Sequence, residues 1–105
     1  VGCSDRAITD AINLIVDAEG GMSVVSEEGA DILKLPVAGI MSDMPVTAMA
    51  RKYEHLSEKA KSLGCKLDAP FMTLSFMALL VIPRLKLSDR GLFDGIAFRH
   101  VPLFV

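Results

Sequence analysis

From Ala69 to Pro83 this chain carries no charged residue, and that run constrains its folding more than any other feature. It is too short, and too often interrupted by Pro, Thr and Ser, to span a bilayer, which takes about 20 apolar residues. A soluble domain of 105 residues rarely needs so continuous an apolar segment to close its own core. Hydrophobic residues make up 51% of the chain, and the mean hydropathy is +0.44. Both values are on the apolar side for a free-standing soluble chain. A face buried against something else is therefore expected, either the rest of a longer polypeptide or a partner subunit.

The remaining composition narrows the functional classes. The length suits one domain with a single core and falls short of an enzyme barrel. A net charge of −2 offers no electrostatic footprint for nucleic acid or anionic lipid. Aromatic residues are few, without Trp, and do not alternate with Lys or Arg as a base-stacking platform would require. Cys3 and Cys65 make neither a disulfide framework nor a CxxC pair, which fits a reducing cytoplasm. Asp5, Arg6 and Asp10 break up any secretory apolar region. Val1-Gly2-Cys3 reads as the end of a strand entering a helix. Processing accounts for the missing initiator Met as well as excision from a longer chain does.

Periodicity places the elements. Ser4 or Asp5 can cap a first helix whose apolar stripe is Ile8, Ile12 and Ile15, with Ala11 and Ala18. Gly20-Gly21 is expected to end it. Met22 to Ser26 and Ala30 to Leu35 read as a hairpin turning at Glu27-Glu28-Gly29, and Val37 to Met41 as a further short strand beyond Pro36. Val46, Met49, Tyr53, Leu56, Ala60 and Leu63 alternate by three and four residues, which predicts a second helix. Its wet side carries Arg51, Lys52, Glu54, Glu58, Lys59 and Lys61. Ser42 or Asp43 is its expected cap, Pro45 fits its first turn, and Gly64 its end. Thr73 to Leu80 suits a third helix or a buried strand, and its Leu, Met and Ala content favours helix. Ser88 to Gly91 reads as a turn, with short strands at Ile96 to Arg99 and Val101 to Val105. The expected fold class is α+β (mixed α/β): a small single domain with short β-strands and two to three helices.

Catalytic chemistry is hard to find here. A hydrolytic metal centre needs several converging His, carboxylate or Cys ligands, whereas His55 and His100 stand apart and outside any HxH or HExxH pattern. No GxSxG turn occurs, and neither cysteine has a nearby His. Gly20-Gly21 precedes a strand, not the helix N-terminus that a phosphate site requires. Met22, Met41, Met44, Met49, Met72 and Met77 are read as filling irregular core space. Catalytic, cofactor and metal residues are accordingly expected to be none. Candidate interface or pocket-wall positions are Ser42 and Asp43 before the second helix, and Phe71, Met72, Thr73, Ser75 and Phe76 in the charge-free run. The hydroxyls of Thr73 and Ser75 are expected to bond to backbone, since unpaired ones cost free energy in apolar surroundings.

Three ordered segments, PVAGIMSD (Pro36 to Asp43), LGCKLDAPFMTLSFMALLVIP (Leu63 to Pro83) and LKLSDRGLFD (Leu85 to Asp94), closely resemble the C-terminal domain of microbial adenine deaminases of the amidohydrolase superfamily. The resemblance implies a parent enzyme that converts adenine and water to hypoxanthine and ammonia. It also implies a preceding (β/α)₈ barrel holding a divalent metal, Mn or Fe, and a parent that is a homo-oligomer in the cytoplasm. It carries no metal ligand onto any residue of this sequence. The chain is then expected to be a fragment, residues 1–105, that packs on the barrel and lines its pocket or a subunit interface without catalysing alone. The alternative is a free-standing, non-catalytic interaction or regulatory module that dimerises through Phe71, Met72, Phe76 and Leu80.

Overall fold

The structure, a computed structural model, describes residues 1–104. The chain gathers into two compact units, the first spanning Val1–Asp68 and the second starting at Ala69. Together the described residues form three helices and two small antiparallel sheets, in agreement with the expected α+β class.

In the first unit, residues 1–3 form no strand, and helix α1 (Asp5–Asp17) starts directly on Ser4, whose Oγ accepts the Ala7 N–H at 3.2 Å. Its inward positions are Ala7, Ile8, Ala11, Leu14, Ile15 and Ala18, while Ile12 is exposed. The expected stripe is thus corrected by one position: Leu14 replaces Ile12, because the helix rolls its small alanines onto the sheet. The helix stops on two hydrogen bonds, from Glu19 N–H to the Val16 carbonyl and from Gly20 N–H to the Ile15 carbonyl, each 3.0 Å. Glu19, not a glycine, takes the left-handed position there, at φ 56°.

Strands β1 (Gly21–Ser26) and β2 (Gly29–Lys34) form the hairpin in the register Met22↔Leu33, Ser23↔Ile32, Val24↔Asp31. Directly paired residues share a face, so Met22, Val24, Asp31 and Leu33 lie on one side and Ser23, Val25 and Ile32 on the other. Ser23 Oγ donates to the Ala11 carbonyl of α1 at 2.9 Å. Asp31 bonds to Lys59 of helix α2 (Val46–Ser62). The ribbon is therefore held between two helices, which explains why both of its faces are apolar instead of strictly alternating. Leu33, fully buried, and Leu56 of α2 form the centre of this core with Val24 and Leu35.

Helix α2 covers the hairpin with its middle turns only, and both ends of the predicted stripe, Val46 and Leu63, are exposed. Its N-cap is Pro45, without a side-chain hydrogen bond. Ser42 instead accepts the Met44 N–H at 3.1 Å, so the expected Ser42 or Asp43 cap is corrected. At the other end, Gly64 N–H and Cys65 N–H bond the Lys61 and Ala60 carbonyls, a Schellman arrangement. Val37 to Met41 is a tight turn with a single bridge between its ends, not a strand.

The second unit begins with helix α3 (Pro70–Met77), Pro70 occupying its first turn. Strands β3 (Leu85–Ser88), β4 (Gly91–Asp94) and β5 (Arg99–His100) follow in a three-stranded antiparallel sheet of that order. Ser88 to Gly91 makes the predicted turn, and Ser88 Oγ accepts the Arg90 N–H there at 3.1 Å. The strand expected over Ile96 to Arg99 is a turn until Arg99, because the Asp94 carboxylate accepts the Ile96 and Ala97 N–H groups at 2.8 and 2.9 Å. Residues 101–104 form no strand, and Val105 lies outside the described residues. Phe93 packs edge-on against Phe98 and His100.

Candidate functional site

Helix α3 has apolar side chains all round, a pattern that ordinarily belongs to a buried helix. Of its residues only Pro70 is buried. Phe71 is half-buried, while Met72, Leu74, Phe76 and Met77 are exposed, Phe76 by 53%. The exposure continues through Leu79, Val81 and Ile82. On β3 the alternation is inverted: Leu85 and Leu87 face outwards while Lys86 and Ser88 are half-buried. Lys86, the one charged residue of this strand, is thus less exposed than either leucine. Contiguous exposed apolar surface ordinarily marks a contact site.

The hydroxyls in this segment are committed to backbone. Thr73 Oγ1 donates to the Ala69 carbonyl at 3.0 Å and Ser75 Oγ to the Met72 carbonyl at 2.7 Å, as expected. In the first unit, Ser42 is half-buried and Asp43 exposed, just before α2. The structure brings Ser42 next to Asp43, and groups Phe71 with Met72, Thr73, Ser75 and Phe76 on one short helix. The methionines divide: Met22, Met44 and Met49 are half-buried in the first unit, as core fillers should be, whereas Met41, Met72 and Met77 are exposed, which corrects their assignment to the core.

One charged cluster escaped sequence reasoning. Lys59 Nζ donates to Asp31 Oδ2, and His55 Nε2 stands 3.8 Å from the same oxygen. The Lys59 hydrogen bond holds the Asp31 carboxyl below its ordinary range, with further help from the Lys59 and His55 charges. Spacing alone shows that His55 and Lys59 share a helix face, but not that a strand carboxylate meets them. Asp94 is also held low, by the Ala97 and Ile96 N–H groups and then by Arg84 and Arg99. An open groove of about 650 Å³ runs along α2 past Val46, Tyr53, Ser57 and Lys61. Among the described residues no group of three or more His, Cys, Asp or Glu side chains converges to hold a metal ion. The Lys59 ammonium already engages the Asp31 oxygen that His55 approaches, and it repels a cation. The residues present therefore do not fit a hydrolytic metal centre. Among the described residues, no helix is long and apolar enough to cross a membrane.

The family profile of the adenine deaminase C-terminal domain matches residues 1–99 and so runs through both units. The chain belongs to this family. It is similar to the adenine deaminase of Salinibacter ruber, at 56% identity over all of this chain. It is also similar to those of a Sulfurovum species, at 51% over 96% of the chain, and of Methanosarcina acetivorans, at 48% over 99%. In each case it spans 19% of the relative's length. No solved structure shows significant similarity. The match to the adenine deaminase C-terminal domain family takes in all three helices and the strands as far as Arg99.

Proposed function

We propose that this chain is the terminal domain of an adenine deaminase and that the full polypeptide hydrolyses adenine, with water, to hypoxanthine and ammonia. In this reading residues 1–105 form one family domain, and a divalent metal, Mn or Fe, is held by a preceding catalytic barrel. When bound, the metal supplies a hydroxide nucleophile near neutral pH. None of this chain's residues takes part in that step. The domain's role is to pack: Met72 and Phe76, with Phe71 behind them, bury against the barrel or a second subunit, and Ser42 and Asp43 stand at a pocket wall or interface. In this reading the enzyme is a cytoplasmic homo-oligomer of purine salvage.

One observation carries the packing role: a charge-free helix on which Met72, Leu74, Phe76 and Met77 are all exposed. Two preparations test the reading. The full-length polypeptide should release ammonia from adenine with bound metal, and residues 1–105 alone should do neither. Phe76→Asp in the full-length protein should weaken assembly or activity while leaving the domain folded by circular dichroism. Turnover by the isolated chain overturns the reading. So does a Phe76→Asp protein that is indistinguishable from wild type. Self-association of the isolated chain that Phe76→Asp abolishes, without any adenine turnover by the full polypeptide, marks the free-standing dimerising module instead.

A further inference from the structure

The turn from Val37 to Met41 is rigid, strained and apolar at its tip, three properties that its own unit gives no reason to combine. Ala38 and Gly39 sit consecutively in the left-handed region, at φ 55° and 75°. Alanine reaches that region only when its surroundings enforce it. Here the enforcement is visible. Val37 and Met41 exchange both backbone hydrogen bonds, at 3.0 and 3.1 Å, and Ile40 N–H bonds the Val37 carbonyl at 3.2 Å. From behind, Gly20 is pressed so close that a Cβ on it would lie 2.3 Å from the Gly39 Cα. Pro36 and Pro45 stiffen the flanks, and the Ser42 hydroxyl ties down Met44. Yet the side chains this scaffold holds are in water: Ile40 is 73% exposed, and Val37 and Met41 about half.

We infer that this turn is a preformed docking key, and that it seats in an apolar recess on the deaminase polypeptide outside this domain. The inference rests on the proposed function and deepens it: the contact which that reading gives Ser42 and Asp43 is extended to the apolar turn just before them. Two considerations select this occupant. The relatives are about five times longer than this chain, so some four-fifths of each full polypeptide is tethered beside the turn. And a tip of three side chains is far smaller than the roughly 1,000 Å² that two separate molecules need for a specific contact. A tether removes that requirement by raising the effective concentration of the two surfaces. Rigidity completes the device, since a loop already ordered loses little freedom on docking.

The test uses the full-length protein. Ile40→Cys is labelled with a maleimide, read at that peptide by mass spectrometry, and compared with Glu28→Cys at the exposed tip of the β1–β2 hairpin. A seated key labels at least about tenfold more slowly than the reference, and dilution does not change the ratio. Hydroxyl-radical footprinting of unsubstituted protein gives a mutation-free check: Met41 should be modified several-fold less in native protein than in urea. Equal labelling rates, or an unprotected Met41, overturn the inference. Protection that vanishes on dilution overturns it too, and assigns the turn to contacts between copies. If Ile40→Cys labels freely in a protein that still deaminates adenine, the docking key fails and the proposed function survives. If adenine is not deaminated while Ile40→Cys stays protected, the proposed function fails and the docked turn stands.

Discussion

Substituting alanine at Gly20 should destabilise the chain well beyond the same change at Gly29, and the structure sets the margin. Both glycines occupy backbone that L side chains rarely adopt, φ 130° and 147°, so both variants incur a conformational cost of about 1–3 kcal/mol. Around Gly29 an added Cβ meets nothing within 4 Å. At Gly20 it meets the Gly39 Cα at 2.3 Å, the Gly39 carbonyl oxygen at 2.9 Å and its carbon at 3.0 Å. All three are backbone atoms, and no rotamer change relieves the overlap. Overpacking of that kind costs a further 1–3 kcal/mol or so. The difference between the two variants is thus about 1–3 kcal/mol, against a total of about 5–15 kcal/mol for a domain. With no Trp and a single Tyr, far-UV circular dichroism in urea is the suitable readout. At a slope of about 1–3 kcal/mol per molar, the Gly20→Ala midpoint should fall roughly 1 M below that of Gly29→Ala. Coincident midpoints would refute the packing of the turn against the α1–β1 corner.

Leu56→Ala removes a side chain only 3% exposed and should cost about 2–5 kcal/mol, whereas Glu58→Ala, on the wet side, should stay within about 0.5 kcal/mol; equal shifts in urea midpoint would place the α2 stripe on the wrong face. Asp94 titrates below 3.8 because N–H groups favour its charged form, so its contribution is complete above the unfolded-state value and lost as pH falls through the lower folded one. An NMR titration of its carboxyl should have a midpoint below 3.8, and Asp94→Asn should speed amide exchange at Ile96 and Ala97 most at neutral pH, with the gap closing in acid.

The parts of the fold that the sequence announces are those in which one partner decides burial. The hairpin from Gly21 to Lys34 and the centre of α2, at Tyr53, Leu56 and Ala60, follow directly from spacing and turn chemistry. The ends of that stripe did not behave as the spacing implies. Val46 and Leu63 continue the rhythm, but a two-stranded ribbon is too narrow to cover a 17-residue helix. On β3 the apolar residues point outwards, so the usual rule, apolar inwards, misplaces Leu85 and Leu87. Ile96 and Phe98 are β-type residues, yet the Asp94 carboxylate captures the Ile96 and Ala97 N–H groups before a sheet can. Of the candidate site, the charge-free α3 was legible from composition. The apolar turn was not, because its rigidity depends on Gly20 meeting Gly39, a contact across 19 positions of sequence that no local pattern records.

Glu19 offers a different kind of consequence, one for protein engineering. It ends α1 in a conformation that costs an ordinary L-residue about 1–2 kcal/mol and that asparagine or glycine adopts more readily. Selection maintains stability just above what function needs and leaves such margins unused. Glu19→Asn is therefore a natural first substitution for anyone seeking a hardier variant. It leaves every apolar contact surface of the chain as it was.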